Sequence, residues 1–203
     1  MSVLDKVIAA VRPRETQAER EAARAAALNA ASTGDWLSTV LAHHVKIEEA
    51  FASTMRATTT DGRLQALNRL GIVLTGHANA EESVLYPALV RANARAHADT
   101  GYAEQAEVKV QLAELGHLPP LSQDFLDKLE HIREAVVHHM YEEEGTWFLQ
   151  IRATLSSTEQ DELDERYLQE FDRYVGLDLE TSDDAEAYRP YFPNALLQKE
   201  TPT

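Results

Sequence analysis

Apolar residues recur three and four positions apart over long stretches of this chain, and three His-x3-Glu pairs fall on those same stripes. A stripe of that period is what an amphipathic helix buries against its neighbours. Leu37, Val40, Leu41, His44, Ile47, Glu48, Phe51 and Met55 make one stripe. Leu67, Leu70, Leu74, His77, Glu81, Val84 and Ala88 make a second. Leu129, Ile132, Val136, His139, Glu143 and Trp147 make a third. No alternating run reads as a strand, so the expected fold class is all-α.

Prolines and caps divide the pattern. Long helices are predicted over 35–58, 61–93, 102–115 and 122–155, with a kink at Pro87 and a stop at Gly116 before Pro119-Pro120. Four helices joined by short connections predict an antiparallel up-down bundle over 35–155. An N-terminal arm, 1–34, carries two short helices, Val3–Val11 and Thr16–Ala31, the second opened by a Thr16/Glu19 capping box. The apolar face of the first (Val3, Leu4, Val7, Ile8, Val11) suits docking on the bundle or on a second subunit, and the oligomeric state is open. A C-terminal part, 156–203, adds a helix over 157–175 and an acidic, poorly ordered tail around Asp183-Asp184.

The chain has no cysteine, which removes disulfides, iron–sulfur clusters and thiol catalysis and leaves His, carboxylates and amides as metal donors. A formal net charge of −15 argues against nucleic acid and anionic membrane as partners. There is no run of 18 apolar residues, and Asp5 and Lys6 interrupt the first apolar stretch, unlike a signal peptide; a cytoplasmic protein is expected.

The pairs His44/Glu48, His77/Glu81 and His139/Glu143 carry the chemistry, each followed by a further Glu (Glu49, Glu82, Glu144). Residues four apart share a helix face, so an imidazole and a carboxylate can converge on one ion. Burying them unpaired costs several kcal/mol, so a metal site or a closed His–Glu hydrogen-bond network is required. The second and third pairs repeat at an offset of 62 residues, with Tyr86 and Phe148 each nine positions after the histidine. Two helices packed pseudo-symmetrically around one centre need such a repeat. His138/Glu142 also obeys the spacing, but the stripe favours His139 inward. Tyr86, Tyr141, Trp147 and Phe148 read as packing residues, although a tyrosine near a metal could donate a hydrogen bond or pass an electron. His43 reads as surface or supporting, His131 as a core or interface histidine, and His97 and His117 as residues near helix ends.

The order of these pairs, with the phrases HANAEESVLYPAL and HHMYEEEGTWF, resembles the bacterial hemerythrin-like, HHE cation-binding domain family over about residues 35–155. The resemblance implies a four-helix bundle with a non-haem di-iron centre, and its ligand positions fall on His44, His77, Glu81, His139 and Glu143. It departs at the third bundle helix, where the family commonly has a His and this chain has Glu104-Gln105. Gln105 could bind a water, Glu104 could rotate in as a ligand, or one metal could be weakly held or lost. Glu48 adds a possible further carboxylate, giving a carboxylate-rich centre.

By donor type alone Fe, Mn and Zn all fit, and the resemblance puts iron first. Three functions follow. The first is an iron protein that binds or senses O2, NO or peroxide, or handles iron. The second is a di-iron oxidoreductase, peroxide-consuming or ferroxidase-like. The third is a metal-stabilised interaction module.

Overall fold

The structure is a computed structural model and describes residues 15–175. The helix expected over Val3–Val11 and the tail around Asp183-Asp184 lie outside the described residues. Six helices follow one another, with no strand among the described residues. They are α1 (Gln17–Ala30), α2 (Trp36–Arg56), α3 (Thr60–Ala80, then a π-helical turn Glu81–Leu85 and a last segment Tyr86–Arg91) and α4 (Arg95–Leu115). Next come α5 (Gln123–Glu142, a π-helical turn Glu143–Trp147, then Phe148–Thr154) and α6 (Ser157–Val175).

Side-chain caps set the starts. Thr16 and Glu19 form a capping box on α1, Asp35 accepts from the Ser38 N–H at α2, and Ser122 accepts from the Phe125 N–H at α5. Asp35 also takes the guanidinium of Arg152, fixing the start of α2 against the end of α5. Helices α2 to α5 form the four-helix bundle, closed by the fully buried Leu37, Ile47, Phe51, Leu70, Leu129, Ile132 and Phe148. Each such side chain contributes about 1.5–3 kcal/mol relative to exposure. Helix α1 packs on α2 and the π-turn of α5, and α6 packs on α3 and α2. No described helix is long and apolar enough to cross a membrane.

Two boundaries differ from expectation. Helix α4 starts at Arg95, not Tyr102, because Asn93 adopts a left-handed φ of 61° that turns the chain at once into the next helix. Its first turns bury only small residues, Ala98 and Gly101, which leave no apolar stripe to read. The expected kink at Pro87 is a π-turn just before it, where the Tyr86 N–H reaches back five residues to the Glu81 carbonyl. The Phe148 N–H makes the same bond to Glu143 in α5, which has no proline there. The shared cause is therefore the repeated motif. A five-residue spacing lies well round a plain α-helix, and the wider turn brings Glu81 and Tyr86 onto one face.

Candidate metal centre

Helix α2 brings His44 to the middle of the bundle, α3 brings His77 and Glu81, and α5 brings His139 and Glu143; all five are buried. One donor atom from each of His44, His77, Glu81 and Glu143 lies within 4.8 Å of the others. His44 Nε2 is 3.4 Å from Glu143 Oε2 and 3.9 Å from Glu81 Oε1, and His77 Nε2 is 3.2 Å from Glu81 Oε2. His44 Nε2, His77 Nε2, Glu81 Oε1 and Glu143 Oε2 are all buried without a hydrogen-bond partner. Four unpartnered lone-pair donors facing one another form a poor hydrogen-bond network and a good cation site. Two imidazoles and two carboxylates fit a first-row transition metal.

Each imidazole is held from behind through Nδ1. His44 Nδ1–H donates to Glu144 Oε1 at 2.7 Å, and His139 Nδ1–H to Glu104 Oε2 at 2.8 Å. His77 Nδ1 pairs with the Tyr167 hydroxyl at 3.1 Å. Such partners fix the tautomer that leaves Nε2 free as a donor.

The side nearest His139 is arranged differently. Its Nε2 lies 3.0 Å from Tyr86 Oη and 3.3 Å from Glu143 Oε1. Tyr86 Oη donates to Glu143 Oε1 at 3.2 Å, while the Gln105 amide nitrogen donates to Tyr86 Oη at 2.6 Å and to Glu81 Oε2 at 2.7 Å. Tyr86 is thus a fifth oxygen within reach of the same atoms, and Gln105 ties it to Glu81.

Charges are strongly coupled here. Burial and the neighbouring Glu143 push the Glu81 carboxyl up to about 8. Burial also disfavours charge on Glu143, but His139 and His44 outweigh it and hold its carboxyl well below the usual range. Burial opposes charge on His139 too, yet Glu143, Glu104 and Glu81 push it up to about 10. The His77 imidazole is driven well down by burial and by His44. The Tyr86 phenol is driven well up by burial and by Glu143 and Glu81. The donors must shed their protons to bind a cation, and a cation offsets the repulsion between Glu81 and Glu143.

The remaining sequence candidates fall outside the four-donor cluster. Glu48 turns away to Arg24, its side chain 38% exposed. Glu104 sits behind His139. Gln105 is buried beside Glu81 with its Oε1 unpartnered. His138, 40% exposed, faces outward to Glu15, so the inward frame is that of His139. His43 is buried against Tyr167 and Phe171, and His97 stacks on Trp147. His131, read as a core or interface histidine, is exposed, because the stripe of α5 passes through Ile132.

Two further residues touch the centre. Tyr86, which reads from the sequence as a packing residue, lies within hydrogen-bond reach of His139 and Glu143, the alternative open to a tyrosine near a metal. Glu144, the Glu that follows the third pair, is buried and supports His44 from behind. A cavity of about 20 Å³ adjoins His77, His139, Glu104 and Gln105 under the apolar side chains of Leu74, Val108, Val136 and Met140. It has room for one water-sized molecule.

A bundle that converges imidazoles and carboxylates in its core defines a helical metal-binding protein. The family model for the hemerythrin HHE cation binding domain matches residues 35–151, and the chain belongs to this family. A hemerythrin HHE cation binding domain-containing protein from Mycobacterium kansasii has a similar crystal structure, with a TM-score of 0.61 at 24% identity, covering 68% of this chain and 86% of that one. At that identity the likeness concerns the fold. An 84-residue stretch is 37% identical to a DNA nickase from Nostoc sp. (strain PCC 7120 / SAG 25.82 / UTEX 2576), covering 41% of this chain. The chain spans about a quarter of that relative's length, 24%.

Proposed function

We propose that this chain is a non-haem iron protein, with two irons at full loading, that binds or senses a small ligand such as O2, NO or peroxide, or handles iron. The observation that carries the reading is the cavity of about 20 Å³ against His77 and His139, beside the unpartnered donors. Its size suits a ligand of one or two heavy atoms better than an organic substrate. Its apolar roof favours a weakly hydrated guest. Iron, held by His44, His77, Glu81 and Glu143, would supply redox-active coordination of such a ligand. The chain's own residues orient the imidazoles through Nδ1, keep bulk water out, and present the Tyr86 hydroxyl as a proton donor beside Glu143 Oε1.

The test is metal analysis of the purified chain, followed by exposure of the reduced protein to O2, NO and H2O2. A stable, reversible spectrum with one of these gases supports binding or sensing. Absence of bound metal after anaerobic Fe2+ loading sinks the reading.

A second reading, a di-iron oxidoreductase that consumes peroxide or oxidises Fe2+, is favoured by Tyr86, a buried phenol within hydrogen-bond reach of His139 and Glu143. Sustained turnover of H2O2 distinguishes it. The nicking activity named for the Nostoc relative is not proposed for this chain. Its net charge of −15 opposes a polyanionic substrate, and the described cavity at the centre is far too small for a nucleotide.

A further inference from the structure

The residues matched by the family domain end at 35 and 151, yet helices outside those limits hold one imidazole of the centre directly and a second through an intervening carboxylate. Helix α6 supplies Tyr167, fully buried, whose hydroxyl lies 3.1 Å from His77 Nδ1 and 3.1 Å from His43 Nδ1. A phenol has one proton to give and can accept as well. With His77 offering Nε2 to the metal, its Nδ1–H donates to Tyr167 Oη, and Tyr167 in turn donates to His43. The His43 ring is itself clamped by Phe171, 3.9 Å away in a stacked arrangement.

Helix α1 reaches the other side. Arg24 donates from Nε and Nη2 to Glu144 at 2.8–3.1 Å, and from Nη1 and Nη2 to Glu48 at 2.9–3.1 Å. Glu144, its side chain 3% exposed, is the carboxylate that accepts from His44 Nδ1. Arg24 therefore offsets the charge of this buried carboxylate from the side opposite His44, and Glu48 on the family's own first helix anchors Arg24.

Two glycines record the same docking independently. A Cβ at Gly76, the neighbour of His77, would meet Val175 Cγ2 of α6 at 2.4 Å and Phe171 at 3.2 Å. A Cβ at Gly145, the neighbour of Glu144, would meet Ala23 Cβ of α1 at 3.3 Å. The bundle thus thins its surface where each flanking helix leans on a ligand-bearing turn.

We propose that α1 and α6 are working parts of the metal centre: Tyr167 is a positioning residue for His77, and Arg24, acting through Glu144, is a positioning residue for His44. The proposal rests on the metal-binding reading above. Their effect is to fix the imidazole tautomer and aim, which governs how tightly the metal is held and its ligand field.

The experiment uses the full chain loaded with Co2+, whose visible bands report coordination, and follows metal release to an excess of chelator. Tyr167→Phe keeps the ring and removes only the hydroxyl; Arg24→Gln removes the charge at a partly exposed position. Each is expected to release Co2+ roughly tenfold faster and to shift the visible bands. Gln169→Ala, on the exposed face of α6, should match the wild type. The rise in melting midpoint on metal loading should shrink in both test variants, a readout that separates metal binding from packing. If Tyr167→Phe fails to fold, Arg24→Gln decides the proposal alone. A wild-type chain that takes up no Co2+ removes the metal reading itself. A wild type that binds Co2+, with both variants releasing it at the wild-type rate and with unchanged bands, overturns this inference alone.

Discussion

Helices α3 and α5 present the same motif, with the same π-turn at the same point, yet the two halves of the centre they build are unlike. On α3, His77 Nε2 faces the donor cluster unpartnered, and a neutral phenol holds its back. On α5, His139 Nε2 already meets Tyr86, and a carboxylate holds its back. Position nine after the histidine is Tyr86 in one half and Phe148 in the other, and only the tyrosine can enter the site. A repeated scaffold has been filled with different chemistry. The consequence is a well-formed four-donor position at His44, His77, Glu81 and Glu143, beside a position whose space is shared with Tyr86 and Gln105.

Removing the two histidines should expose that inequality most strongly. His77→Ala deletes one of the four converging donors, and metal affinity should fall by more than the roughly 100-fold that supporting partners contribute. His139→Ala leaves the four-donor cluster whole, and at least one metal should remain bound through gel filtration. Metal-to-protein ratios for the two variants check this. Equal losses in both would show that the halves are equivalent once loaded.

The next largest effect concerns Gln105. Its amide nitrogen bonds Glu81 and Tyr86 at the slot where the family commonly has a histidine. Gln105→His supplies an imidazole there and should raise the metal content by up to one ion per chain, most visibly under limiting Fe2+. An unchanged ratio would mean that Tyr86, and not the missing imidazole, limits the second position.

Most of this was legible in the sequence. The stripes gave the bundle helices, the Thr16 capping box and the predicted openings at Asp35 and Ser122 gave three starts, and the offset of 62 residues paired α3 with α5. Part of what was not legible has a geometric source. Period counting assumes 3.6 residues per turn, and both π-turns break that assumption where the ligands sit. A plain α-helix would place Tyr86 well round from Glu81. The start of α4 escaped for another reason: small residues bury without leaving an apolar stripe. Glu48 could not be placed, because its partner Arg24 belongs to a helix whose docking no local pattern reveals.

Tyr86→Phe makes the two halves alike at position nine and leaves Gln105 Nε2 and His139 Nε2 each short of a buried partner. Unsatisfied groups of this kind cost about 1–3 kcal/mol. At roughly 2–4 °C per kcal/mol for a chain of this size, the metal-free protein should melt several degrees lower. The metal-loaded protein should lose less if the freed donors turn to the metal. Equal losses with and without metal would show that Tyr86 serves packing alone.

The smallest effect is expected at Glu48, which shares the His-x3-Glu spacing of the two central pairs and differs from them only in where its helix points it. Glu81 and Glu143 are fully buried, whereas the Glu48 side chain is 38% exposed and engaged with Arg24. Glu48→Gln keeps the shape and one acceptor oxygen for Arg24, whose Nε and Nη2 still bind Glu144. An exposed ion pair of this kind is worth about 0–1 kcal/mol. Metal stoichiometry should therefore stay at the wild-type ratio, and the melting midpoint should move by no more than a few degrees. A loss of metal in this variant would put Glu48 among the ligands, revive a carboxylate-rich centre, and require Arg24 to swing away as the ion enters. Spacing nominates a ligand; here the partner across the helix interface decides whether it serves as one.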